Sequence, residues 1–167
     1  MCIGGGGDYV EPSCGQYQCL HSDWGHSPGW NLPTPPMISV NFTIEALNRR
    51  NGATRFLLGT HRGHPHVALA NEKAGSLVRM LAPVPAGCAI LRDVRCIHGG
   101  TPNSSPKPRY LPAVEYQPLD LEDDMYFYET PLPQRMFDQL NEASQHLASR
   151  LVDPNLETDV GLKCNPD

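Results

Sequence analysis

At 167 residues the chain suits one domain, and a chain of that size buries roughly 70% of its unfolded surface, enough for a core without disulfide staples. A net charge of −5 with no block of like charges excludes the basic stripe that nucleic acid requires, and no apolar run approaches the ~20 residues of a membrane span. Seventeen prolines and fifteen glycines cut the chain into short runs, which favours strands over long helices.

In chain order, residues 1–16 read as a flexible, glycine-rich N-terminus. The glycines at 4–7 lack the preceding strand and following Gly-Lys-Ser/Thr of a phosphate loop. No basic-then-apolar signal region opens the chain, so the cytoplasm is the default and the six cysteines are expected as free thiols. Residues 17–20 form a strand candidate that delivers His21 and Asp23, and residues 24–36, with four prolines and two glycines, form a loop. Strands follow at 37–44 and 53–58 around a turn at 48–52. A His-rich loop at 59–71 precedes a strand at 77–82, a turn at 84–87, and strands at 88–94, 95–98 and 109–116. Short strands at this spacing predict a sandwich or barrel over residues 17–130. One helix is expected over 131–152, with Thr130 as N-cap and Pro131 at the first position. Its stripe of Met136, Leu140, Ala143, Leu147 and Leu151 is expected to pack on the outside of a sheet. Residues 153–167 form a tail.

The chemistry lies in two places. On a strand, His21 and Asp23 share a face, and the Gly/Pro loop after them leaves that face open. His98 ends an apolar strand before Gly99 and Gly100, which admit close approach of a ligand, and Arg109 opens the next strand. Singly, these are a core histidine or a charge at a sheet end. Together, two histidines and a carboxylate with open positions are the ligand set of a non-haem Fe(II) oxygenase. A guanidinium nearby in sequence suits a dicarboxylate co-substrate.

Other residues read more plainly. His61, His64 and His66 suit a solvated loop or the border of a substrate mouth better than a second metal site, because Gly63 and Pro65 break any shared face. Trp24 and Trp30 either line a pocket or cover the barrel end. Asp93 is expected to be hydrogen-bonded structure, Cys14 and Cys19 lack a partner pair at zinc spacing, and Cys88 and Cys96 are expected as small buried hydrophobes.

Leu20-His21-Ser22-Asp23, Asn51-Gly52-Ala53 leading into Leu57-Leu58-Gly59-Thr60-His61, and His98-Gly99-Gly100 with Asn103 and Arg109 together resemble the phytanoyl-CoA dioxygenase family. The resemblance covers about residues 17–117. It implies a mainly β, double-stranded β-helix (jelly-roll, cupin-like) core and an Fe(II)- and 2-oxoglutarate-dependent dioxygenase. Such an enzyme uses O2, hydroxylates a small organic or lipid-like molecule, and releases succinate and CO2. It further implies His21, Asp23 and His98 as iron ligands and Arg109 as the partner of the far carboxylate of 2-oxoglutarate. Asn41 falls at another co-substrate position. Gly100 stands where some members carry a serine, which moves that contact to Thr101. Asp23 favours hydroxylation over halogenation, since related halogenases lack the carboxylate.

Family members usually carry a long segment before the His-x-Asp strand, whereas twenty residues precede His21 here. The alternatives are therefore a non-catalytic jelly-roll binding module, or a truncated fragment with a vestigial metal site, its barrel incomplete and its edge strand exposed. A cupin-like metalloenzyme independent of 2-oxoglutarate is a third, against which Arg109 argues.

Overall fold

The short apolar and β-branched runs between prolines and glycines form antiparallel strands in two sheets. The computed structural model describes residues 1–25, 28–67, 69, 75, 79–118 and 131–156. The larger sheet sets β1 (Cys2–Val10), β7 (Arg109–Tyr116), β2 (Ile38–Phe42) and β5 (Ala89–Asp93) side by side in that order. The smaller contains β4 (Arg79–Leu81), β3 (Arg55–Leu57) and β6 (His98–Gly99), again in that order. A bridge between His21 and His98 adds the next segment to its edge. Leu111 of β7 and Ile90 of β5 pack with Leu81 of β4, Leu47 and Ala53, joining the two sheets through one apolar cluster. This is the jelly-roll core.

The N-terminus departs from expectation. Its glycines predict irregular chain, yet Cys2–Val10 is a strand paired along β7, with Cys2 opposite Tyr116 and Val10 opposite Arg109. Glycine weakens a strand, but here the main-chain groups of β7 find their partners in β1, which forms the edge of the sheet. Gly7 is required where it stands: its φ is +152°, and a Cβ there would lie 2.6 Å from the Leu111 carbonyl oxygen.

Residues 17–20 form no regular strand. They run beside β6, with Gln18 N–H donating to Gly100 O, and lead into the His21–His98 bridge. What approaches Gly99 closely is this segment rather than a ligand, since a Cβ there would be 3.0 Å from Gln18 O. The single C-terminal helix is also corrected. The expected cap Thr130 lies outside the described residues; Leu132–Pro133 (β8) pairs in parallel with Val152–Asp153 (β9), and between them stand two short helices, Gln134–Phe137 and Glu142–Ala148. Asn141 breaks the run, because its side chain accepts from Ser144 N–H and starts a new helix. Met136 and Leu147, members of the expected stripe, are exposed.

Trp24 and Trp30 are buried with Ile3, Met37 and Val94 and are not among the residues lining the cavity at the site. Cys88 is exposed, against expectation, at the end of a turn, and Cys96 is half-buried; the described cysteines are free. No helix among the described residues is long and apolar enough to cross a membrane.

Candidate metal centre

The fold brings His21, Asp23 and His98 together, with one ligand atom of each within 4.8 Å of the others. The backbone does this. His21 and His98 exchange both main-chain hydrogen bonds, N–H to O at 3.0 and 2.9 Å, which places their side chains on one face with ring centroids 4.4 Å apart. Asp23 N–H donates to Val94 O at 3.1 Å, and Ser22 Oγ donates to the same oxygen at 3.0 Å. One stretch, residues 92–98, thus anchors all three.

Orientation of the rings follows. His21 Nδ1 lies 2.8 Å from Cys19 O, and His98 Nδ1 lies 3.1 Å from Cys96 O. A nitrogen facing a carbonyl carries the proton, which leaves each Nε2 lone pair free. Both Nε2 atoms face Asp23 Oδ1, at 3.4 Å from His21 and 3.7 Å from His98. Neutral imidazoles held by carbonyls through the other nitrogen are the arrangement a divalent ion requires, so the donor set fits a metal.

Electrostatics agrees for two of the three. Burial, reinforced by the nearby Arg92 charge, pushes His98 down to about 4, which keeps it neutral. Burial would raise the Asp23 carboxyl, but the His21 hydrogen bond, the Arg92 guanidinium and His98 outweigh it and hold the group well below the usual carboxylate range. His21 runs the other way: the Asp23 hydrogen bond raises it, favouring a proton on Nε2 that a metal ion would displace.

The sequence reading missed Arg92. This residue, 8% exposed on β5, places Nη2 2.6 Å from Asp23 Oδ2. A hydrophobic-in reading of the run 88–94 assigns Leu91 to the core; instead Leu91 is 72% exposed and Arg92 points in. The signal available was the adjacent pair of charges, Arg92 and Asp93, interrupting an apolar run.

The cavity at the triad has a volume of about 260 Å³ and is lined from the larger sheet by Ser39, Asn41, Arg92, Ala113 and Glu115. Asn41 faces it from β2. Arg109 and Thr101 border an adjoining cavity of about 610 Å³, and Asp8 borders both. Arg109 is 1% exposed, and none of its guanidinium nitrogens has a hydrogen-bond partner among the described residues; the Asp8 carboxylate is 3.8 Å from Nη1. Thr101 Oγ1 already donates to Ala53 O at 2.6 Å. Asn103, fully buried, donates to Val10, Glu11 and Lys107 carbonyls and accepts from Ser105, which fixes the loop that delivers Arg109. His61, His64 and His66 form no candidate metal group with other described residues. Asp93 is structural, gripped by Arg95 Nε and Nη2 while Arg95 Nη1 donates to Leu32 O.

A family model for phytanoyl-CoA dioxygenase (PhyH) matches residues 9–111, more than half of the chain. The chain belongs to the phytanoyl-CoA dioxygenase family. The sequence finds no match among curated proteins. Among solved structures, AviO1 from Streptomyces viridochromogenes Tue57 is similar at 20% identity and a TM-score of 0.58, over 71% of this chain and 53% of that one. EctD from S. alaskensis, crystallised with 2-oxoglutarate and 5-hydroxyectoine, is similar at 23% identity and a TM-score of 0.56, over 74% of this chain and 46% of that one. SnoK, a non-heme alpha ketoglutarate dependent carbocyclase from nogalamycin biosynthesis, gives 17% identity and a TM-score of 0.53, over 65% and 46%. The matched region thus spans about half the length of these relatives. They share the jelly-roll fold.

Proposed function

We propose that this member of the family is an Fe(II)- and 2-oxoglutarate-dependent dioxygenase that hydroxylates a small organic or lipid-like molecule. The observation that carries the reading is the triad itself: one ligand atom from each of two imidazoles and a carboxylate, all within 4.8 Å of one another, with each ring's Nδ1 held by a carbonyl. His21, Asp23 and His98 would hold iron, and three protein ligands would leave it open to co-substrate and oxygen. Bound there, iron and 2-oxoglutarate supply oxidative decarboxylation to succinate and CO2, coupled through O2 to hydroxylation.

The chain's own residues do the rest. Arg109 would receive the far carboxylate of 2-oxoglutarate, because a buried guanidinium with no hydrogen-bonded partner is a site for a fork-matched acid. Asn41 would contact the co-substrate from the inward face of β2. Thr101 stands close to Arg109 but its hydroxyl proton is committed to Ala53, so it offers only a lone pair. That EctD was crystallised with Fe and with 2-oxoglutarate supports the choice of metal and co-substrate.

The second reading, a binding module with a vestigial site, is favoured by the place of Arg109, which borders the adjoining cavity and not the one at the triad. Anaerobic titration with Fe(II) and 2-oxoglutarate separates the two. A visible charge-transfer band, lost in Asp23→Ala, supports the oxygenase; a folded chain without a band supports the module.

A further inference from the structure

Along β5 the side chains alternate, with Ile90 and Arg92 turned inward and Leu91 outward. Arg92 stands opposite Ser39 of β2, deep inside the sheet pair, with its side chain 7% exposed. Burying a guanidinium carries a desolvation cost of several kcal/mol unless a close partner offsets it. Its Nη1 has no partner among the described residues, so the offset comes from the 2.6 Å contact between Nη2 and Asp23 Oδ2. The other oxygen, Oδ1, faces both imidazole Nε2 atoms. The two oxygens of one carboxylate therefore have separate duties.

We propose that Arg92 is the positioning residue of the metal centre: by occupying Asp23 Oδ2 it makes the carboxylate meet the ion through Oδ1 alone. This rests on the metal-centre reading above. A carboxylate with both oxygens free can bind an ion through one or both, and the second contact fills a position that the co-substrate or oxygen needs. Main chain and side chain of Asp23 are held by the same stretch, Val94 O gripping its N–H and Arg92 its Oδ2, so the carboxylate has little freedom to swing. The sign of the effect distinguishes positioning from simple charge. A cation beside a divalent ion repels it, so on charge alone removing Arg92 tightens metal binding, whereas loss of positioning weakens it.

The test uses Mn(II) alone. Its affinity is read from the electron paramagnetic resonance of the free ion, and the number of waters on bound Mn(II) from water-proton relaxation. The native chain is expected to bind Mn(II) with three waters, and Arg92→Met to bind it about 10- to 100-fold more weakly, the range for loss of a residue that orients a ligand, with one water fewer. Arg92→Lys, which keeps a donor and the charge, is expected to recover most of the affinity and the third water. Thermal melts of the metal-free proteins check folding; if Arg92→Met does not fold, the shorter, uncharged Arg92→Gln is read in its place against the same expectation. Affinity equal to or tighter than native, with the water count unchanged, overturns the role of Arg92 alone. A folded native chain that does not bind Mn(II) overturns the metal-centre reading beneath it.

Discussion

Gly52 links the turn before β3 to the loop that delivers Arg109, and its replacement by alanine has a cost that the structure divides into two parts. Its φ is +80°, and a Cβ would lie 2.6 Å from the main-chain oxygen of Thr101. Gly59 and Gly87 have nearly the same φ, +83° and +78°, with nothing within 4 Å of the added atom. A left-handed L-residue costs about 1–2 kcal/mol, and the alanine recovers ~0.4–1 kcal/mol by restricting the unfolded chain. Gly59→Ala and Gly87→Ala should thus lose about 0.5–1 kcal/mol each. Gly52→Ala adds overlap with a main-chain atom that cannot rotate away, about 1–3 kcal/mol more by analogy with overpacked cores. With an m-value of ~2 kcal/mol/M in urea, the controls move the midpoint by about 0.3–0.5 M and Gly52→Ala by about 1 M or more. The assay is urea unfolding followed by far-UV circular dichroism. Equal midpoints for all three variants would mean that the close approach of Gly52 to Thr101 is wrong.

Asn103→Ala should cost about 2–4 kcal/mol in the same assay, because a fully buried amide with several main-chain partners is removed and those groups are left unpaired; a loss under about 0.5 kcal/mol would contradict the network described. Arg109→Met should raise the 2-oxoglutarate concentration for half-maximal succinate formation by about 30-fold or more, in line with ~2–5 kcal/mol for one partner of a buried charge pair, and an unchanged value would remove Arg109 from the co-substrate site. Asp8→Asn should move the same quantity the other way, by about 2- to 10-fold after screening at this half-exposed position, since it removes the carboxylate beside Arg109; a weaker co-substrate would show that Asp8 assists. Mn(II) at a hundredfold excess over its dissociation constant should add about 2.7 kcal/mol, seen as a rise of roughly 5–10 °C in melting temperature and absent in Asp23→Ala.

The site residues were legible because metal chemistry demands particular residue types: His21, Asp23 and His98 announced themselves by identity, and the fold put them in one place. The strands between the prolines were legible from their β-branched content. The rest was hidden by inversion. On β2 the apolar Ile38, Val40 and Phe42 alternate with Ser39 and Asn41, and it is the polar pair that faces inward because the inner face lines the cavity at the triad. Arg92 was overlooked for the same reason. β1 was overlooked because its pairing is supplied by main-chain groups, to which composition is blind. Asn141 divided the helix through a cap that the apolar stripe at 136–151 concealed.

The paired main chains of His21 and His98 have an evolutionary consequence. The gap between the two imidazoles is set by ladder register, since a slip of one residue would throw one ring to the opposite face. Length changes in the loops on either side, at 24–36 or 101–108, leave that pairing untouched, whereas a single insertion or deletion between 18 and 21 would separate the rings at once. The lineage of such a chain is therefore free to vary the length of loops far from this rung, while the few positions around it accept no indels.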